Sequence, residues 1–96
     1  MSEKSSPVRR EVVVANRLGL HARPAAIIAR AVSGSSSEVW FIRENGEKVL
    51  AASALSILMM AAVSGTRLII EADGEDALQI VDELESAFVS RFGEAE

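Results

Sequence analysis

Along this chain the hydrophobic spacing switches between a period of two and a period of three to four, and the switches mark the elements. Glu11 to Ala15, built on the three β-branched valines Val12, Val13 and Val14, predicts a strand. Asn16-Arg17-Leu18-Gly19 follows as a loop, with Gly19 free to take a backbone angle other residues resist. From Ala22 the spacing of Ala25, Ala26, Ile28, Ala29 and Val32 predicts a helix. Pro24 sits in its first turn, where a missing N–H does little harm, and Gly34 stops it. Glu38 to Ile42 predicts a second strand, Asn45-Gly46 a hairpin, and Glu47 to about Ala51 a third strand.

Ser53 to about Ala61 reads as a short apolar helix with Ser53 as its N-cap. Ser64-Gly65 turns the chain into a fourth strand, Thr66 to Ala72. Asp73, Glu75 and Asp76 surround the start of a last helix, placing acids at its positive end. Leu78, Val81, Leu84 and Phe88, extended to Phe92, form its apolar stripe, and Gly93 closes it. The order is β-α-β-β-α-β-α. An α+β fold follows, with the helices on one face of a mostly antiparallel sheet. Alternation turns Val12, Val14, Val39, Phe41, Leu68 and Ile70 inward and leaves Val13, Trp40 and Ile69 on the opposite face.

At 96 residues and 49% apolar content the chain has enough material for one packed domain. Residues 1–8 read as a flexible lead-in, 9–93 as the domain and 94–96 as a C-terminal tail. No cysteine is present, which removes disulfides, thiol chemistry and the usual zinc sites, and the single histidine removes multi-histidine metal sites. No cofactor and no metal are therefore expected. A net charge of −4 argues against a general nucleic-acid partner. With no bilayer-length apolar run and no signal-peptide stretch in residues 1–10, membrane insertion is not expected and a cytoplasmic location is.

That one histidine, His21, lies in Gly19-Leu20-His21-Ala22-Arg23-Pro24-Ala25, at the start of the first helix. A helix start offers unpaired N–H groups and a partial positive charge, and so attracts anions. Imidazole is a nucleophile able to take a phosphoryl group at neutral pH and pass it on. Arg23 can add charge-assisted hydrogen bonds beside the N–H groups of Ala22 and Arg23. Taken alone, a histidine at such a place is more often a cap.

This segment resembles the phosphorylation motif of the histidine-containing phosphocarrier (HPr) family of the bacterial phosphotransferase system. Asn45-Gly46, the serine opening the second helix, Gly65-Thr66 and the acidic entry to the last helix also fall where that family has them. The resemblance runs from about residue 10 to residue 90. It implies an open-faced β-sandwich, with four antiparallel strands in order 1-4-2-3 and three helices on one face. It also implies a phosphoryl carrier rather than an enzyme. His21 would accept the phosphoryl group on Nδ1 from enzyme I and pass it to a IIA protein or domain, with Arg23 stabilising the group.

By the same resemblance Ser53 matches a regulatory serine, the substrate of an HPr serine kinase/phosphatase, although a serine cap needs no such role. Ala52 and Ala54 depart there from the family's common lysine and bulkier apolar residue. Ala22, Ala26, Leu55, Leu58 and Met59 would form the docking surface, with part of the Leu55, Leu58 and Met59 group in the core. Strand order 1-4-2-3 would set Val13, Trp40 and Ile69 side by side, as a packed cluster or a self-association patch. A monomer is expected. The alternatives are a regulatory or nitrogen-branch relative, and an interaction module of the same fold that no longer transfers phosphate.

Overall fold

A computed structural model describes residues 6–96, so the reading of residues 1–5 as lead-in lies outside the described residues. Strand β1 spans Val8–Val13, helix α1 Ala22–Ser33, β2 Glu38–Ile42, β3 Lys48–Leu50, α2 Ala54–Met60, β4 Arg67–Asp73 and α3 Ala77–Val89. A 3₁₀ turn, Arg91–Gly93, follows. The four strands form one antiparallel sheet in the order β1-β4-β2-β3, with the three helices on one face.

The strand limits shift where local pairing decides them. Strand β1 begins three residues earlier than the expected start at Glu11 because Val8, Arg9 and Arg10 find partners in Ala72, Glu71 and Ile70 of β4. Val8 is therefore strand rather than lead-in. Ala15 is outside β1, and β4 runs one residue later at each end than expected. The Asn45-Gly46 hairpin forms around a five-residue loop, closed by Arg43 N–H to Glu47 O at 2.9 Å, which shortens β3.

The inward set is as the alternation requires: Val12, Val14, Val39, Phe41, Leu68 and Ile70 are all buried. Phe88 meets Phe41 edge-on at 5.8 Å and Phe92 at 5.0 Å. Two expectations for the apolar stripe of the last helix fail. Leu78 is exposed, because the stripe that faces the sheet is Ala77, Ile80, Val81, Leu84 and Phe88. Phe92 is buried but lies beyond α3, carried inward by the 3₁₀ turn that Gly93 ends.

The acids do not flank the start of α3 as a group, since Asp73 ends β4. Asp76 is the N-cap, but its carboxylate turns to the α1–β2 loop. It accepts from Ser35 Oγ at 2.8 Å, Ser37 Oγ at 2.5 Å and Ser36 N–H at 3.2 Å. These bonds pull its pKa down to about 2.

On the open face Val13, Trp40 and Ile69 are not side by side. Val13 opposes Arg67, Ile69 lies between Glu11 and Ile42, and Trp40 lies between Glu71 and Leu50. Lys48 covers the Trp40 ring, 5.2 Å from its centroid, and reaches Glu71 at 3.2 Å, while Arg9 reaches Glu71 at 2.7 Å. The apolar residues are thus interleaved with charge.

Candidate functional site

Two backbone constraints set His21 in place. Asn16 O accepts from Gly19 N–H at 3.1 Å, tightening the loop after β1, and Leu20 N–H donates to Ala62 O at 3.0 Å, tying that loop to the residues after α2. Gly19 holds φ +70°, and a Cβ there would sit 2.4 Å from Ala62 O. Only glycine lets the two segments approach so closely.

His21 is then the N-cap residue of α1, and its carbonyl accepts the first helical bond from Ala25 N–H at 3.0 Å. Its ring makes no capping bond. Nε2 instead lies 2.6 Å from Glu94 Oε2. Glu94 Oε1 accepts from Asn16 Nδ2 at 2.9 Å, and the same amide donates to Gly19 O at 2.7 Å. Asn16 foremost, and then His21, hold the Glu94 carboxyl below its ordinary pKa against the opposing effect of desolvation.

Among the described residues, the Ala22 and Arg23 N–H groups have no hydrogen-bond partner, and Arg23 makes no ion pair. Pro24 has no N–H to leave unpaired. Arg17, Leu18, His21, Arg23, Gly93 and Glu94 line a shallow, open cleft. A nucleophilic ring, two free backbone donors and an unpaired guanidinium therefore share one accessible place. An anionic group on the ring could be met there without being enclosed.

Residues 94–96 are not a free tail. Besides the Glu94 contacts, Arg17 N–H donates to Glu96 O at 2.8 Å, and the Arg17 and Glu96 side chains pair at 3.0 Å. The sequence pattern did not reveal Asn16, Arg17 and Glu94 as parts of this site. Nothing local marks Glu94, since 73 residues separate it from His21.

Ser53 is the N-cap of α2, accepting from Ser56 N–H at 3.1 Å. In α2 the core takes Ile57 and Met60. Leu55, Leu58 and Met59 are all exposed, Met59 at 77%, so none of the three contributes to the core as expected. Ala22 and Ala26 are exposed on α1. Leu18 and Val63, which the sequence pattern did not single out, are also exposed, Val63 beside the Gly19 approach.

The family model described as the HPr component phosphorylation site of the phosphotransferase system matches residues 8–90. The phosphocarrier protein HPr of Cupriavidus necator is 36% identical over 89 residues, covering 93% of this chain and 99% of that one. The phosphocarrier protein HPr of Treponema pallidum is 36% identical over 87 residues, covering 91% and 98%. A crystal structure of HPr-C-His from Thermoanaerobacter tengcongensis superposes with a TM-score of 0.87 at 31% identity, covering 93% of this chain and 99% of that one. These relatives are named as carriers rather than enzymes. With the match spanning nearly every described residue, the chain belongs to the HPr family of phosphocarrier proteins.

Proposed function

We propose that His21 accepts a phosphoryl group on Nδ1 from enzyme I of a phosphotransferase system and passes it to a IIA protein or domain. The observation that carries this reading is the engagement of the ring. His21 stands at a helix start without capping it, and Glu94 occupies Nε2. Nδ1 is the nitrogen that remains for chemistry. The Ala22 and Arg23 N–H groups and the Arg23 guanidinium supply positive potential for the bound phosphoryl group.

An open site suits a carrier. Any extra grip on the bound group must be undone at the next transfer, so moderate stabilisation serves better than enclosure. Leu18, Leu55, Leu58, Met59 and Val63, with Ala22 and Ala26, give an exposed apolar surface suited to transient docking of successive partners. A phosphate on Ser53 would keep an acceptor at the α2 cap while adding charge beside this surface, weakening docking.

Incubation with phosphoenolpyruvate and enzyme I, followed by intact mass before and after mild acid, tests the assignment. One acid-labile phosphoryl group, absent in His21→Ala, is the expected result. A chain that gains no such group with enzyme I from its own organism, or gains it equally in His21→Ala, overturns the assignment.

A further inference from the structure

Both carboxylate oxygens of Glu94 are engaged. One carboxylate oxygen meets His21 Nε2 at 2.6 Å, and the other accepts from Asn16 Nδ2 at 2.9 Å. Asn16 is completely buried, and its second amide proton goes to Gly19 O at 2.7 Å, which fixes the orientation of the amide. The Glu94 side chain is only 12% exposed, against 35% for His21.

The backbone around Glu94 is anchored on both sides. Phe92 packs against Phe88 just before it, and Arg17 binds Glu96 just after it. The turn delivering it runs through three successive positive φ angles, +57° at Arg91, +54° at Phe92 and +79° at Gly93. The first two residues carry a Cβ, for which this region is disfavoured, and such strain persists only where surrounding contacts enforce it. Here the enforced result is a carboxylate on one chosen nitrogen of the only histidine.

We propose that Glu94 is a positioning residue for phosphoryl transfer, its carboxylate holding the His21 proton on Nε2 so that the Nδ1 lone pair is free to attack. This role rests on the carrier reading above. As Nδ1 attacks, a P–N bond forms, and the bond from phosphorus to the phosphorylated donor protein breaks, its electron pair leaving with the donor. The ring keeps its Nε2 proton and becomes an N-phosphorylated imidazolium, whose positive charge the Glu94 carboxylate balances. Because that proton stays in place, Nδ1 remains a good leaving group toward the next acceptor, and transfer onward restores the neutral ring. Arg23 is left unpaired for the phosphoryl oxygens. The logic is that of any oriented imidazole, in which an acidic partner fixes the tautomer rather than taking the proton away.

The test reads the ring directly. Two-bond ¹H–¹⁵N correlation spectra of the unphosphorylated full chain identify which nitrogen carries the proton, in wild type, Glu94→Gln and Glu94→Asp. Wild type should show the Nε2–H tautomer. In Glu94→Gln the amide oxygen can serve Asn16 or His21 but not both, so the ring should move toward Nδ1–H. Phosphorylation by enzyme I should then slow at least about 10- to 100-fold, the loss seen when the partner orienting a metal-bound imidazole is removed. Glu94→Asp should restore the Nε2–H tautomer and part of the rate. Backbone amide spectra superposable on wild type establish that each variant is folded, and Glu94→Asp against wild type decides the matter if Glu94→Gln is not.

A wild-type ring with its proton on Nδ1, or an unchanged tautomer and a rate within twofold in Glu94→Gln, overturns the proposal. A wild type that is never phosphorylated but shows the expected tautomers overturns the carrier reading instead.

Discussion

Replacing Gly19 by alanine should unfold the approach to His21 more than any ordinary surface substitution could, and the structure sets the size. Gly19 has φ +70°, a conformation that costs an L-residue about 1–2 kcal/mol. The added Cβ would lie 2.4 Å from Ala62 O and 3.1 Å from Val63 Cα, both backbone atoms that no rotamer change can move. Relief requires Ala62 to retreat, which breaks the Leu20 N–H to Ala62 O bond, worth about 1 kcal/mol. Together these give a loss of about 2–3 kcal/mol, or a fall in Tm of about 8–24 °C for a domain of this size. Gly46→Ala is the internal control. Its φ is +90°, but a methyl group added there would meet nothing within 4 Å, so it should lose only the backbone cost of about 1–2 kcal/mol and keep its hydrogen bonds. Urea titrations of both variants, with equal slopes, check the comparison. If the two variants lose the same free energy, the close approach of Gly19 to Ala62 does not constrain the site.

Four further outcomes follow from the same geometry. Asp76 has its pKa pulled down to about 2 by Ser37 and Ser35, so its contribution is present above the ordinary aspartate pKa and fades as pH falls through about 2. Asp76→Asn should therefore narrow the stability gap to wild type as denaturation is measured at progressively lower pH, and a gap constant from pH 7 to 2 would count against it. Ala61 ends α2 with φ +54°, and Ala61→Gly should raise stability by about 0.5–1 kcal/mol in urea unfolding, whereas a loss would show the position is not strained. Arg23→Ala should leave Tm within a few degrees yet slow phosphoryl transfer at least tenfold, because an arginine with no ion pair contributes little to the fold; unchanged transfer would remove its assigned role. Met59→Ser with Leu55→Ser should likewise spare Tm while weakening partner binding in calorimetry, and unaltered binding would place docking elsewhere.

How much the sequence revealed depended on the reach of each signal. Strand β2, the Ser53 cap and the placement of His21 at a helix start rest on residues within a few positions, and the structure has all three. Leu78 failed because an amphipathic helix permits neighbouring stripes, and packing against β1 and β4 selected the one through Ile80 and Leu84. In the short α2 helix every position but Ser56 is apolar, so periodicity could not tell Ile57 and Met60 from Leu58 and Met59. The contacts of Asp76 with Ser35 and Ser37 cross about forty residues, and those of Glu94 with His21 and Asn16 cross more than seventy. Such contacts arise from closure of the fold, and no local pattern encodes them.

The carrier chemistry turns on one nitrogen atom. Phosphorylated wild-type protein, labelled with ¹⁵N in its histidine ring and examined for ³¹P–¹⁵N coupling, shows directly where the phosphoryl group sits. A single bond from phosphorus to His21 Nδ1, with Nε2 still protonated, is the expected result. A phosphoryl group on Nε2, or on a serine, would contradict it.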